Sequence, residues 1–190
     1  MPGMPDNTTS PPDCSKSPSN YTPRDVTVEV ISTPWDHPHG VQLRQAQRLE
    51  ITSLGGIDPG TPPTAADVTV YIVAYDQMEG VPVGCGGLRP LISKSGDLRD
   101  AAEIKRMFVE RSHRGRVGSG GQSIAAMILS ALEEAALQMG LRMLKLETGE
   151  FLEQARAFYE RHGFTECTAF GAYTNSTNSV FYEKSIAACA

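Results

Sequence analysis

No apolar run in this chain is long enough to span a bilayer. Its first twenty residues, MPGMPDNTTSPPDCSKSPSN, lack the apolar stretch of a secretory signal. A cytoplasmic protein without membrane contact is therefore expected. Cysteine is sparse and dispersed. Cys14, Cys85, Cys167 and Cys189 show no CxxC spacing, which argues against a disulfide scaffold and for reduced thiols. Cys189 is next to last, so it does not fit a prenylation signal, which needs cysteine fourth from the end. Positive charge is in deficit. Seventeen Lys and Arg face 22 Asp and Glu, a net charge of −5, which argues against nucleic acid as a partner. The phosphate-loop signature GK[ST] is absent. The four histidines, His37, His39, His113 and His162, make no metal-binding set among themselves, so no metal is expected.

What is present fits one soluble globular unit. A chain of 190 residues, 40% hydrophobic and 21% charged, can bury one substantial core. Residues 1–24, rich in Pro, Ser, Thr and Asn, carry little to bury and are expected to form a mobile tail. A single domain is expected over 25–187.

The most informative stretch is EIKRMFVERSHRGRVGSGGQSIA, residues 103–125. It reads as a strand, a basic glycine-rich turn and the start of an apolar helix. Lys105, Arg106, Arg111, Arg114 and Arg116 crowd into residues 105–116, opposed there only by Glu110. Unpaired N–H groups at a helix start, beside arginines, make a seat for an anion such as a phosphate. A dinucleotide fingerprint fits less well, because Ser123 stands where the third glycine of the pattern belongs.

Periodicity sets the remaining elements. Val26–Ile31 alternates as a strand, and Asp36 to about Leu54 reads as a helix with Leu43, Ala46 and Leu49 on one side. Gly55–Asp67 is a loop by its glycines and prolines. Val68–Tyr75 and Val81–Leu91, joined by the short turn DQMEG, should pair as a hairpin. Ala102–Val109 is a fourth strand. The helix that follows runs to about Met139, with Ile124, Ile128, Ala131, Leu132 and Ala135 forming one apolar stripe. Leu141–Thr148 is a fifth strand. Phe151–His162 is an amphipathic helix with Phe151, Ala155, Phe158 and Tyr159 on one face. Phe164–Phe170 and Ser179–Lys184 are the last strands. Strands first and βαβα late imply a mixed α/β sheet, antiparallel in front, with a parallel pair around the long helix.

AEIKRMFV, RGRVGSGG, LKLETG and ARAFYERHGF occur in an order and near a spacing that resemble the GNAT superfamily of N-acetyltransferases. The resemblance covers about residues 26–185. It implies the GNAT fold: a mixed sheet of about seven strands flanked by helices, with strands 102–109 and 141–148 splayed apart to form a cofactor cleft. The implied cofactor is acetyl-CoA, with no metal. The implied activity is transfer of an acetyl group directly to a primary amine, of a small molecule such as an amino acid, polyamine or amino sugar. Two rivals stand beside it: a protein lysine or N-terminal acetyltransferase, and a non-catalytic acyl-CoA-binding module. A homodimer is left open.

The resemblance also implies roles. Backbone groups of Met107, Phe108 and Val109 would hold the pantetheine arm. Arg114, Gly115, Arg116, Gly118, Gly120, Gly121, Gln122, Ser123, Ile124 and Ala125 would bind the phosphates. The span from Arg114 to Gly140 is about six residues longer than the family's usual spacing, which an insertion around Val117–Gly121 would explain. Tyr159 matches the tyrosine that serves many members as general acid. Glu103 matches a strand glutamate used as general base in histone-type members, and otherwise serves structure or substrate charge. The acceptor would meet Gly55–Asp67, the neighbourhood of Arg89, and Phe170–Ser179, with Tyr173, Glu147 and Arg89 as candidate contacts.

Overall fold

The computed structural model describes residues 26–57, 61–91, 100–118, 120–173 and 178–186. The expected 1–24 tail lies outside the described residues. Seven strands form one sheet: β1 (Val28–Ser32), β2 (Val70–Asp76), β3 (Val81–Pro90), β4 (Ala101–Val109), β5 (Met143–Gly149), β6 (Thr165–Glu166) and β7 (Ser179–Ser185). Their order is β1-β2-β3-β4-β5-β7-β6. β1 through β4 pair antiparallel, as do β5–β7 and β6–β7, and β4–β5 is the parallel pair. This is the mixed sheet the sequence implies. No helix among the described residues is long and apolar enough to cross a membrane.

The helices are α1 (Pro38–Ser53), α2 (Ile124–Gln138) and α3 (Glu153–Arg161). α2 crosses from β4 to β5 and buries Ile124, Ile128, Leu129, Leu132 and Ala136 in the main core, with Ala131 and Ala135 half-buried beside them. Each large aliphatic side chain so placed contributes about 1.5–3 kcal/mol. The GCGG run on β3 lets the helix come close. A Cβ on Gly84 would sit 2.8 Å from Ile128 Cδ1, and one on Gly86 would sit 2.7 Å from Met107 Sδ.

Three expectations are corrected. Leu49 is 65% exposed, because the buried face of α1 runs through Gly40, Leu43 and Arg44. Arg44 is accommodated there by stacking its guanidinium 3.7 Å from the Trp35 ring centroid. Phe151 lies in the turn before α3 and is 43% exposed, because the helix starts only at Glu153. The strand expected over Phe164–Phe170 shortens to Thr165–Glu166, whose residues pair with Glu183 and Tyr182 of β7.

Candidate active site

β4 and β5 pair only over Ala101–Glu103 and Met143–Lys145. Beyond Glu103 the two strands separate, and β4 continues to Val109 with its β5-side edge unmatched by any strand among the described residues. A cleft of about 690 Å³, partly open to solvent, fills the gap. Its walls include Met107 and Arg106 from β4, Glu147 and Thr148 from β5, Gln47 from α1 and Tyr159 from α3.

The edge of β4 is further shaped by a bulge. Cys85 faces Phe108 and Gly87 faces Lys105, so Gly86 stands opposite both Arg106 and Met107. Arg106 takes a left-handed φ of 60°, a conformation that costs a non-glycine residue of order 1–3 kcal/mol. The surrounding structure holds it: the Arg106 carbonyl accepts from Cys85 Sγ at 3.3 Å. One residue on, Gln47 Nε2 donates to the Met107 carbonyl at 2.9 Å. Gln47 and Arg106 were not among the sequence candidates. A polar residue on the buried side of α1 was the only available sign of the first; the second stood in the basic cluster, but nothing in the sequence marked its left-handed backbone.

The turn after β4 is tied together by backbone hydrogen bonds. Val117 bridges Ser123, Gly118 N–H donates to the Gln122 carbonyl at 2.8 Å, and Gly121 N–H donates to the Gly118 carbonyl at 3.1 Å. Gly118, Gly121 and Gln122 are thus drawn together in a small loop, in which Gly120 and Gly121 take φ of 94° and 80°. The loop returns the chain to Ser123, whose Oγ caps α2 by accepting from Ala126 N–H at 3.2 Å. The N–H groups of Ile124 and Ala125 stand in the first turn, where an α-helix offers no internal acceptor. They point outward with the positive end of the helix dipole.

The local positive charge is partly spoken for. Arg114 pairs in a bidentate manner with Glu50 of α1, both bonds at 2.8 Å, and its Nε donates to the Val109 carbonyl. That guanidinium holds the Glu50 carboxyl below its usual range against the opposing effect of burial. Arg116 lies 3.8 Å from Glu79. Both carboxylates come from distant parts of the sequence.

Tyr159 is 7% exposed and meets the rings of Phe158, Phe164 and Tyr182. Burial, and then the charge of Glu147, push its phenol well above the usual tyrosine range. It therefore keeps its proton at every physiological pH. Glu147 also accepts from Ser179 Oγ at 2.6 Å.

Glu103 is fully buried and sits outside the cleft wall. Arg89 donates to its Oε2 from Nη2 at 2.6 Å and from Nε at 3.1 Å. Tyr173 O–H donates to its Oε1 at 2.6 Å, and Lys105 Nζ lies 3.3 Å from the same oxygen. Arg89 also reaches the Thr61 carbonyl at 3.1 Å. The structure thus gathers Glu103, Arg89 and Tyr173 into one buried network, and places Tyr159, Glu147 and Met107 together in the cleft.

Comparison with known proteins places this arrangement. Residues 67–166 match the family model described as an acetyltransferase (GNAT) domain. An IAA acetyltransferase of Azospirillum brasilense is 36% identical over 114 residues, 60% of this chain and 66% of that protein. An uncharacterized N-acetyltransferase of Escherichia coli (strain K12) is 35% identical over 94 residues, 50% of this chain and 49% of that protein. The chain thus matches less than two thirds of either relative's length. A Klebsiella pneumoniae crystal structure named as an acyl-CoA N-acyltransferase superposes with a TM-score of 0.67 at 27% identity, covering 84% of this chain and 97% of that one. The fold also matches a GNAT family acetyltransferase from Elizabethkingia anophelis with acetyl-CoA bound, at a TM-score of 0.58 and 13% identity, over 84% of this chain and 98% of that one.

Proposed function

The chain belongs to the GNAT acetyltransferase family, and from that premise we propose that it moves an acetyl group from acetyl-CoA to the primary amine of a small molecule. The observation that carries this reading is the gap between β4 and β5, an open strand edge followed in the chain by the start of α2. The residues fit the cofactor. The β5-side edge of β4 around Met107–Val109 can take up the amide groups of a pantetheine arm as an added strand would. The first-turn amides of α2, Ile124 and Ala125, can hold a diphosphate, with Gly115 and Gly118–Ser123 shaping the approach. Bound there, acetyl-CoA would supply the activated thioester.

This chain's own residues then divide the work. Tyr159, protonated and at the cleft, donates a hydrogen bond or proton where the leaving thiolate develops. Glu147 favours an approaching amine by its charge. Glu103 has both oxygens occupied by Arg89, Tyr173 and Lys105, so it anchors the acceptor wall more readily than it collects a proton from the amine. A small acceptor suits a cleft bordered by Gln47, Ile57 and Phe151, whereas a protein acceptor would call for a long open groove.

The test is Tyr159→Phe, assayed by CoA release across a panel of amines. The expected result is a kcat lowered about 10–10³-fold with acetyl-CoA affinity unchanged. An unaltered kcat under chemistry-limited conditions removes Tyr159 from the mechanism. Failure of acetyl-CoA at about 1 mM to raise the melting temperature overturns the cofactor reading.

A further inference from the structure

A second cluster lies away from the cleft, at the end of the β2–β3 hairpin. Asp76 ends β2, Glu79 lies in the turn to β3, and His113 closes the single 3-10 turn Arg111–His113 after β4. One ligand atom from each lies within 4.8 Å of the other two. His113 Nε2 is 3.5 Å from Asp76 Oδ2 and 3.9 Å from Glu79 Oε2. His113 and Asp76 are 6% and 1% exposed, and Glu79 is open to solvent.

Three features separate this cluster from an ordinary ion pair. First, buried His113 Nε2 has no hydrogen-bond partner. A charged imidazolium pair would close to about 2.7–2.9 Å, and neither carboxylate comes that near. Second, the separations suit a shared ion. Donor atoms about 2.1 Å from a metal stand about 3.4 Å apart at tetrahedral angles and about 4.2 Å apart when opposite in an octahedron. Third, the other atoms of these side chains are already held. His113 Nδ1 is 2.9 Å from Ser112 Oγ. Asp76 Oδ1 accepts from the N–H groups of Met78 at 2.8 Å and Glu79 at 3.3 Å, which leaves Oδ2 turned to the histidine. In the tautomer whose Nδ1–H donates to Ser112 Oγ, Nε2 presents its lone pair to the gap, the arrangement by which a second partner orients a ligating imidazole.

We propose that Asp76, Glu79 and His113 bind one divalent transition-metal ion of the zinc type, with water completing the coordination. One imidazole and two carboxylates suit such an ion better than magnesium or calcium, which favour oxygen alone. The site is separate from the acetyl-transfer cleft. It would clamp the β2–β3 turn to the segment that leads into the phosphate-binding loop. Arg116 of that loop lies 3.8 Å from Glu79 Oε1, so an ion on Glu79 would also shift the balance of charge around Arg116.

The test uses the full chain stripped with chelator and titrated with Zn²⁺ by calorimetry, with bound metal counted by elemental analysis. The expected result is one ion per chain with a dissociation constant of about 10 µM or tighter. Glu79→Gln and His113→Gln should each weaken binding at least about tenfold, and a His37→Ala/His39→Ala control should leave it unchanged. If His113→Gln fails to fold by circular dichroism, Glu79→Gln decides, since that side chain is 54% exposed. Absence of zinc binding at about 100 µM, binding indifferent to Glu79→Gln, or binding lost in the His37/His39 control overturns the proposal.

Discussion

Removing Arg89 should unseat the buried charge of Glu103. Glu103 is 0% exposed and Arg89 is 14% exposed, and Nη2 and Nε of the arginine both donate to Glu103 Oε2, at 2.6 and 3.1 Å. Arg89→Ala leaves the carboxylate with Lys105 at 3.3 Å and Tyr173 at 2.6 Å, a partial and differently placed compensation. Breaking a buried pair from one side costs about 3–5 kcal/mol. In a domain of this size that corresponds to a melting temperature lower by about 6–20 °C. Glu103→Gln keeps the shape and removes the charge. Arg89 then retains the Thr61 carbonyl and some solvent, so the expected cost is about 1.5–3 kcal/mol. The double variant should cost clearly less than the sum, because each single change strands the other's partner. Urea unfolding of all four proteins gives the cycle. A cost below about 1 kcal/mol for Arg89→Ala, the figure for an exposed pair, refutes the reasoning. The same Glu103→Gln protein settles the chemistry. An anchor leaves the acidic limb of the pH–rate profile in place, and a general base takes that limb with it.

Stability should fall with alkali. Burial raises the phenols of Tyr71, Tyr159 and Tyr173 above the usual range. The stability tied to their protonated forms is whole below about pH 10, the unfolded value, and is lost as pH climbs toward the folded values. Each contributes a slope of up to about 1.4 kcal/mol per pH unit. A urea midpoint that stays flat between about pH 9 and 11 contradicts this. Ser123→Ala removes the cap of α2 and should cost about 1 kcal/mol. Because the first-turn amides remain, acetyl-CoA affinity should fall only modestly, and its complete loss would make Ser123 a direct ligand. Gly86→Ala forces a Cβ to 3.0 Å from both Ile128 and Leu132 and should cost about 1–3 kcal/mol, read from the denaturant midpoint. An undisturbed midpoint would mean that α2 can lift off β3.

Much of this architecture was legible in residue order, because its causes are local. The β-branched and aromatic run VTVYIVAY and the short DQMEG turn specify a hairpin, and the apolar stripe from Ile124 to Leu132 specifies a buried helix. Gly140 and Gly163 follow the helices they end. Errors fell where a local pattern met a competing contact. Leu49 continues the i, i+3 steps from Leu43 and Ala46, but that series drifts about 60° around the helix at each step, and the buried face runs instead through Arg44, stacked on Trp35, and Gln47, bonded to Met107. Phe151 belongs by type to a helix face, yet it packs against Gly56 and Gly149 in the turn before α3.

The sequence by itself determined the type and order of the elements, the glycine-rich turn before α2, and the tyrosine carried on α3. These depend on propensity, periodicity and capping, which act over a few residues. Only the tertiary structure decided where β4 and β5 part, that Glu103 is enclosed by Arg89, Lys105 and Tyr173, that Arg114 is claimed by Glu50, and that His113 faces Asp76 and Glu79. Those outcomes depend on which distant charges and edges the packed sheet brings within a few ångströms of one another, where desolvation and Coulomb forces change most steeply with distance.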